Sequence, residues 1–82
     1  MKLKLSSSAQ RDLDKLTDEV ALRISEKIYP LAQNPFPFGY QKLAGGKGYR
    51  IRISDYRIIY QVDKKSKTIT ILKIAHRREV YR

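Results

Sequence analysis

The residues best suited to chemistry in this chain are arginines. In the run Tyr49-Arg50-Ile51-Arg52-Ile53 the two-residue period of a strand sets Ile51 on one face and Arg50 with Arg52 on the other. A two-residue turn at Ser54-Asp55 would pair Ile53 with Tyr56, Arg52 with Arg57 and Ile51 with Ile58, adding Arg57 to the same face. Like charges directly opposite each other destabilise a strand pair, so three arginines kept together point to an anion, and planar guanidinium groups suit phosphate. On charge alone, a solvated basic face with splayed side chains explains the pattern equally well. The grouping also depends on the turn, since one extra residue would move Arg57 to the other face.

A second group follows the last strand, where His76, Arg77, Arg78, Tyr81 and Arg82 close the chain. Cations beside an aromatic suit a nucleotide, because stacking is worth roughly 1–3 kcal/mol per base whatever the sequence. Taken alone, the spacing favours Tyr81 as a half-buried anchor of the chain end and His76 as a hydrogen-bonded strand-end residue. Glu79 balances neighbouring charge. Other chemistries find no support. Gly45-Gly46-Lys47-Gly48 lacks the spacing of a P-loop and its Ser or Thr after lysine, and reads as a bend. The basic half has no paired carboxylates and no serine in a nucleophile elbow. With no cysteine and one histidine, neither a metal site nor a cofactor is expected.

Charge locates the same region. Lys and Arg number 18 against 8 acids, a net +10 that favours polyanions or an acidic protein as partner. Residues 1–46 carry 7 basic and 5 acidic groups, whereas residues 47–82 carry 11 and 3, so the polyanion site is expected in the second half. No apolar stretch approaches the ~20 residues that span a bilayer, and Met1-Lys2-Leu3-Lys4-Leu5 has no apolar signal core, so a cytoplasmic location is expected.

The elements that must position these residues fit one domain, 1–82, because two pieces would each be too small for a core. Lys2–Ser6 alternates as a short half-buried strand. Ser7 with Gln10 reads as a capping box for a first helix with Ala9, Leu13 and Leu16 in one stripe. Thr17-Asp18 caps a second helix with Val20, Ile24, Ile28 and Leu31, which Asn34-Pro35 stops. The segment 34–48 reads as an ordered connection pinned to the core by Phe36 and Phe38. Three strands follow, Tyr49–Ile53, Tyr56–Val62 and Thr68–Ala75, joined by short turns. The expected fold is α+β in the order β-α-α-β-β-β: a small antiparallel sheet, made of the N-terminal strand and a three-stranded meander, with a two-helix hairpin on one face.

Three blocks together resemble the RelE branch of the RelE/ParE toxin superfamily: Leu43-Ala44-Gly45 before Tyr49–Ile53, then Asp55-Tyr56-Arg57-Ile58-Ile59-Tyr60, and His76-Arg77-Arg78-Glu79-Val80-Tyr81. The likeness extends over essentially the whole chain. It implies a metal-independent endoribonuclease that enters the ribosome and cuts mRNA in the A site, silenced by a RelB-like antitoxin. By position, Arg50 and Arg52 stand where that family has a catalytic basic pair, usually lysines; Arg57 matches the arginine after the aromatic of the next strand. Arg77 matches the C-terminal arginine and Tyr81 the tyrosine that stacks on the base, although their interval is shorter here than in the best-known member. Lys47, His76, Arg78 and Arg82 are expected to contact RNA. An arginine cannot lose its proton in a protein, which leaves the general base unassigned. Two rivals stay open: a ParE-type poison of DNA gyrase, and a non-catalytic nucleic-acid-binding module.

Overall fold

The computed structural model describes residues 1–76. Strand β1 (Lys2–Leu5) turns Leu3 and Leu5 to the core and its lysines to solvent. Helix α1 (Ser7–Asp14) is capped by Ser6, whose Oγ accepts from the Ala9 N–H at 3.0 Å and donates to the Leu72 carbonyl at 3.0 Å. The cap expected at Ser7 thus lies one residue earlier. Three consecutive serines are chemically equal caps, and the tie to Leu72 settles which one is used; Gln10 instead donates to Asp14 Oδ1 at 2.9 Å. Thr17 caps helix α2 (Asp18–Ile28) by accepting from Val20 N–H, as expected, and Asp18 and Glu19 complement its N-terminal dipole. A 3-10 turn, Tyr29–Ala32, extends α2 and buries Leu31.

The chain then adds β2 (Gln41–Lys42), β3 (Tyr49–Ile53), β4 (Tyr56–Asp63) and β5 (Thr68–His76) in a five-stranded sheet ordered β1-β5-β4-β3-β2. The meander is antiparallel as expected, but β1 runs parallel to β5, so the sheet is mixed. Parallel neighbours need a long crossover, and the helices with the meander supply it. The two-residue edge strand β2 lies inside the segment read as a connection. At the start of β3, Gly48 has φ +106, and a Cβ there would stand 2.4 Å from the Tyr60 carbonyl oxygen, so no side chain fits.

One face of the sheet forms the core. Ile51, Ile53, Ile58, Tyr60, Ile69, Ile71 and Ile74 pack with Ala9, Ile24, Ile28 and Leu31 from the helical half. Burying each large aliphatic side chain contributes about 1.5–3 kcal/mol. The β4–β5 register slips at Ile59/Tyr60, leaving Leu72 as the extra residue, and β1 ends its pairing at Ile71. Helix α1 covers the edge beyond that point: Asp12 accepts the Ile74 N–H at 3.1 Å and the Lys73 ammonium at 2.9 Å. The carboxylate thus occupies an edge donor that would otherwise template another strand.

Candidate functional site

The β3–β4 hairpin carries the arginine group. Its turn is Ser54-Asp55, and the register sets Ile53 against Tyr56, Arg52 against Arg57 and Ile51 against Ile58, as a two-residue turn requires. Ser54 has φ +54, the left-handed backbone such hairpin turns use. Arg50, opposite Ile59, lies in the same alternation. All three arginines therefore belong to the face turned away from the core, and directly opposed residues such as Arg52 and Arg57 have Cβ atoms about 4.5–5.5 Å apart.

Exposure grades across the group. Arg52 is exposed, Arg50 is half-buried, and Arg57 is only 8% exposed. A solvated basic face with splayed side chains therefore does not describe Arg57. Its strand β4 lies between β3 and β5, whereas Arg52 sits beyond the short edge strand β2. Arg50 donates to Gln41 Oε1, the residue opposite it on β2. Gly39, Gln41, Arg50 and Arg52 line a pocket of about 290 Å³. Gln41 and Gly39 carried no signal in the sequence, because β2 is too short to show a period.

The rim of that pocket is a clamped loop. Asn34 Oδ1 accepts the Phe36 N–H at 3.2 Å, Tyr60 Oη donates to the Pro35 carbonyl at 2.6 Å, and the Tyr40 N–H bonds the Pro37 carbonyl at 3.1 Å. The Phe36 ring lies 5.2 Å from that of Tyr40 and 5.1 Å from that of Tyr49, and Tyr49 in turn packs 5.7 Å from Tyr60. Burial, reinforced by Tyr40 and Tyr49, pushes the Tyr60 phenol up to about 12. Phe36 anchors the loop as expected, but Phe38 does not: it is fully exposed. Around the turn between Pro37 and Tyr40, Phe36 is half-buried, Tyr40 is exposed on one side while its ring packs on Phe36 and Tyr49, and Phe38 is outward.

His76 does not join the arginines. It pairs across from Tyr56 with rings 5.1 Å apart and perpendicular, in the row that continues the core face, next to a pocket of about 360 Å³ lined by Asp12, Lys15 and Leu16 among others. Lys47 is exposed in the bend before β3, at the opposite end of that strand from Arg52. Arg77, Arg78, Tyr81 and Arg82 lie outside the described residues.

A family model for the ParE toxin of type II toxin–antitoxin systems, parDE, matches residues 3–81. Toxin RelG of Mycobacterium tuberculosis is 30% identical over 84 residues, covering 98% of this chain and 94% of the relative. Toxin RelE of the same organism is 31% identical over 80 residues, 95% of this chain and 82% of that protein. The chain is a RelE-type toxin of the RelE/ParE superfamily. Its fold matches the RelE–RelB complex of Pyrococcus horikoshii with a TM-score of 0.79 at 34% identity, covering 93% of each chain. The isolated Escherichia coli RelE toxin gives 0.79 at 26% identity, over 98% of this chain and 89% of that one. In this RelE-type toxin no three His, Cys, Asp or Glu side chains come together as metal ligands among the described residues. None of the described helices is long and apolar enough to cross a membrane.

Proposed function

We propose that this toxin is a ribosome-dependent endoribonuclease that cuts mRNA in the ribosomal A site. The observation that carries the reading is the hairpin register, which aligns Arg50, Arg52 and Arg57 on one face with Arg52 directly against Arg57. Guanidinium groups gathered on one face suit an RNA phosphate, which they bind through paired charge-assisted hydrogen bonds.

The chemistry is attack of a ribose 2′-oxygen on the adjacent phosphorus. The bond from phosphorus to the 2′-oxygen forms, the bond to the 5′-oxygen breaks, the 2′-proton leaves and the 5′-oxygen gains one. RNA is cut and DNA is not, because DNA lacks the nucleophile. Arg50, Arg52 and Arg57 hold the phosphate and stabilise the charge that grows on it, with Arg77 completing the group and Tyr81 stacking on the base. Lys47, Arg78 and Arg82 extend the RNA contacts. His76, set with Tyr56 on the other face, has a supporting role and is not the base. The rate comes mainly from orientation of the 2′-OH within the ribosome, an effect that can supply roughly 7–11 kcal/mol of a barrier. No metal or cofactor takes part.

The toxin–antitoxin complexes of its relatives, RelBE2 of M. tuberculosis and RelE–RelB of P. horikoshii, support a RelB-like antitoxin that silences it. Its proposed place of action is the cytoplasm. The family model's ParE description supports a second reading, inhibition of DNA gyrase by protein contact. Primer extension on mRNA from expressing cells tests the two together. The expected result is new 5′ ends within translated codons, lost when the neighbouring antitoxin frame is coexpressed. Intact mRNA with arrested DNA replication would overturn the ribonuclease reading in favour of gyrase.

A further inference from the structure

We infer that Phe38 is a second base-stacking residue, which receives an unpaired RNA base beside the phosphate held by Arg50 and Arg52. The inference rests on the ribonuclease reading and extends it to a residue outside the arginine group.

Three observations carry it. Phe38 is the most exposed large apolar side chain of the described residues, with none of its ring covered. The backbone that carries it is restrained: Pro37 before it has a fixed φ, the Phe36 and Tyr40 rings two residues away on either side pack on each other, and the Pro37–Tyr40 backbone bond closes the turn. A ring carried on a restrained backbone binds a flat partner without the further cost of ordering the loop. The third observation is place. Gly39, the next residue, lines the same pocket as Gln41, Arg50 and Arg52, so Phe38 adjoins a guanidinium site along the chain. Gly39 has φ +91 and space where a Cβ would be, leaving the pocket open there to a ligand.

A cationic pocket with a bare aromatic next to it in the chain matches a nucleotide: phosphate inside and base on the ring. An unpaired base offers its π-face, whereas a duplex hides it, so the ligand is single-stranded RNA. An acidic peptide could satisfy the guanidinium groups but needs no flat ring.

The chain has no tryptophan, so Phe38→Trp installs a single fluorescent probe at the site. Adding a short single-stranded oligoribonucleotide should quench it, whereas inorganic polyphosphate at equal charge should not. Phe38→Ala should weaken binding of the same oligonucleotide by about 5- to 150-fold, the span of one lost stack, with Phe38→Tyr restoring most of it. Full-strength binding by Phe38→Ala, or equal quenching by RNA and polyphosphate, would overturn the inference. So would a Phe38→Ala variant that binds RNA normally but no longer copurifies with the antitoxin, which would make the ring an antitoxin contact. Ribosomal cleavage is assayed separately: cleavage with no stacking defeats this inference alone, and stacking with no cleavage defeats only the ribonuclease reading.

Discussion

Arg52 and Arg57 share a rung of the sheet and a charge, yet their surroundings set them apart. Arg57 is nearly buried on β4, between β3 and β5, so truncating it removes buried side-chain volume as well as charge. Arg52 is exposed, and truncating it removes a like-charged neighbour at little packing cost. Arg57→Ala is therefore expected to lose about 1–3 kcal/mol of stability, while Arg52→Ala stays within about 0.5 kcal/mol or gains slightly. Both should cut poorly on ribosomes. Urea denaturation of the two variants checks the difference, and equal midpoints would mean that the stem of Arg57 contributes no packing. The same contrast marks what residue types alone reveal: alternation put the three arginines on one face, but it carries no information about how many strands flank each one.

Tyr60 links three elements, since it sits in the core face of β4, packs against Tyr49 of β3 and donates to Pro35 of the loop. Its phenol is neutral in the folded chain well above the ordinary tyrosine range, up to about 12, because burial disfavours the phenolate. The sign follows: the folded value exceeds the unfolded one, so the stabilisation is whole below pH 10 and drains away as pH rises from about 10 to 12. Tyr60→Phe should start less stable at neutral pH, having lost the bond to Pro35, and should show a shallower fall in melting temperature between pH 10 and 12. Parallel curves for parent and variant would remove Tyr60 as the alkaline trigger. At this scale the sequence was legible where a pattern repeats. The isoleucine stripe of α2, the three long strands and the two-residue hairpin are all periodic, and each stands where the alternation put it. Features that hang on one contact were not legible. The direction of β1, the cap at Ser6 in place of Ser7 and the edge strand β2 are each set by partners distant in the chain, Ile71, Leu72 and Arg50 among them, and the outward turn of Phe38 belongs to an irregular loop with no period to read.

Over the whole molecule the charge is divided by position and by face. The helical half carries net +2 and packs its apolar stripe on the sheet, whereas the second half carries +8 and presents arginines on the opposite face. A polyanion drawn to the chain meets that face in one of two ways. A diffuse field attracts it from many lysines at once, or particular guanidinium groups each replace a counterion at one phosphate. Salt separates the two, because binding to single-stranded RNA weakens with log salt at a slope of about −0.7 per phosphate contacted. If Arg52 holds one phosphate, Arg52→Ala should flatten the slope by about 0.7. Lys64, exposed in the β4–β5 turn at the far end of β4 from Arg57, contributes equally to net charge but stands apart from the arginine face. Lys64→Ala should therefore leave the slope unchanged within error. Fluorescence anisotropy of a labelled oligoribonucleotide across a salt series measures both variants. If the two flatten the slope alike, the chain attracts RNA by net charge, and the hairpin register no longer marks a phosphate site.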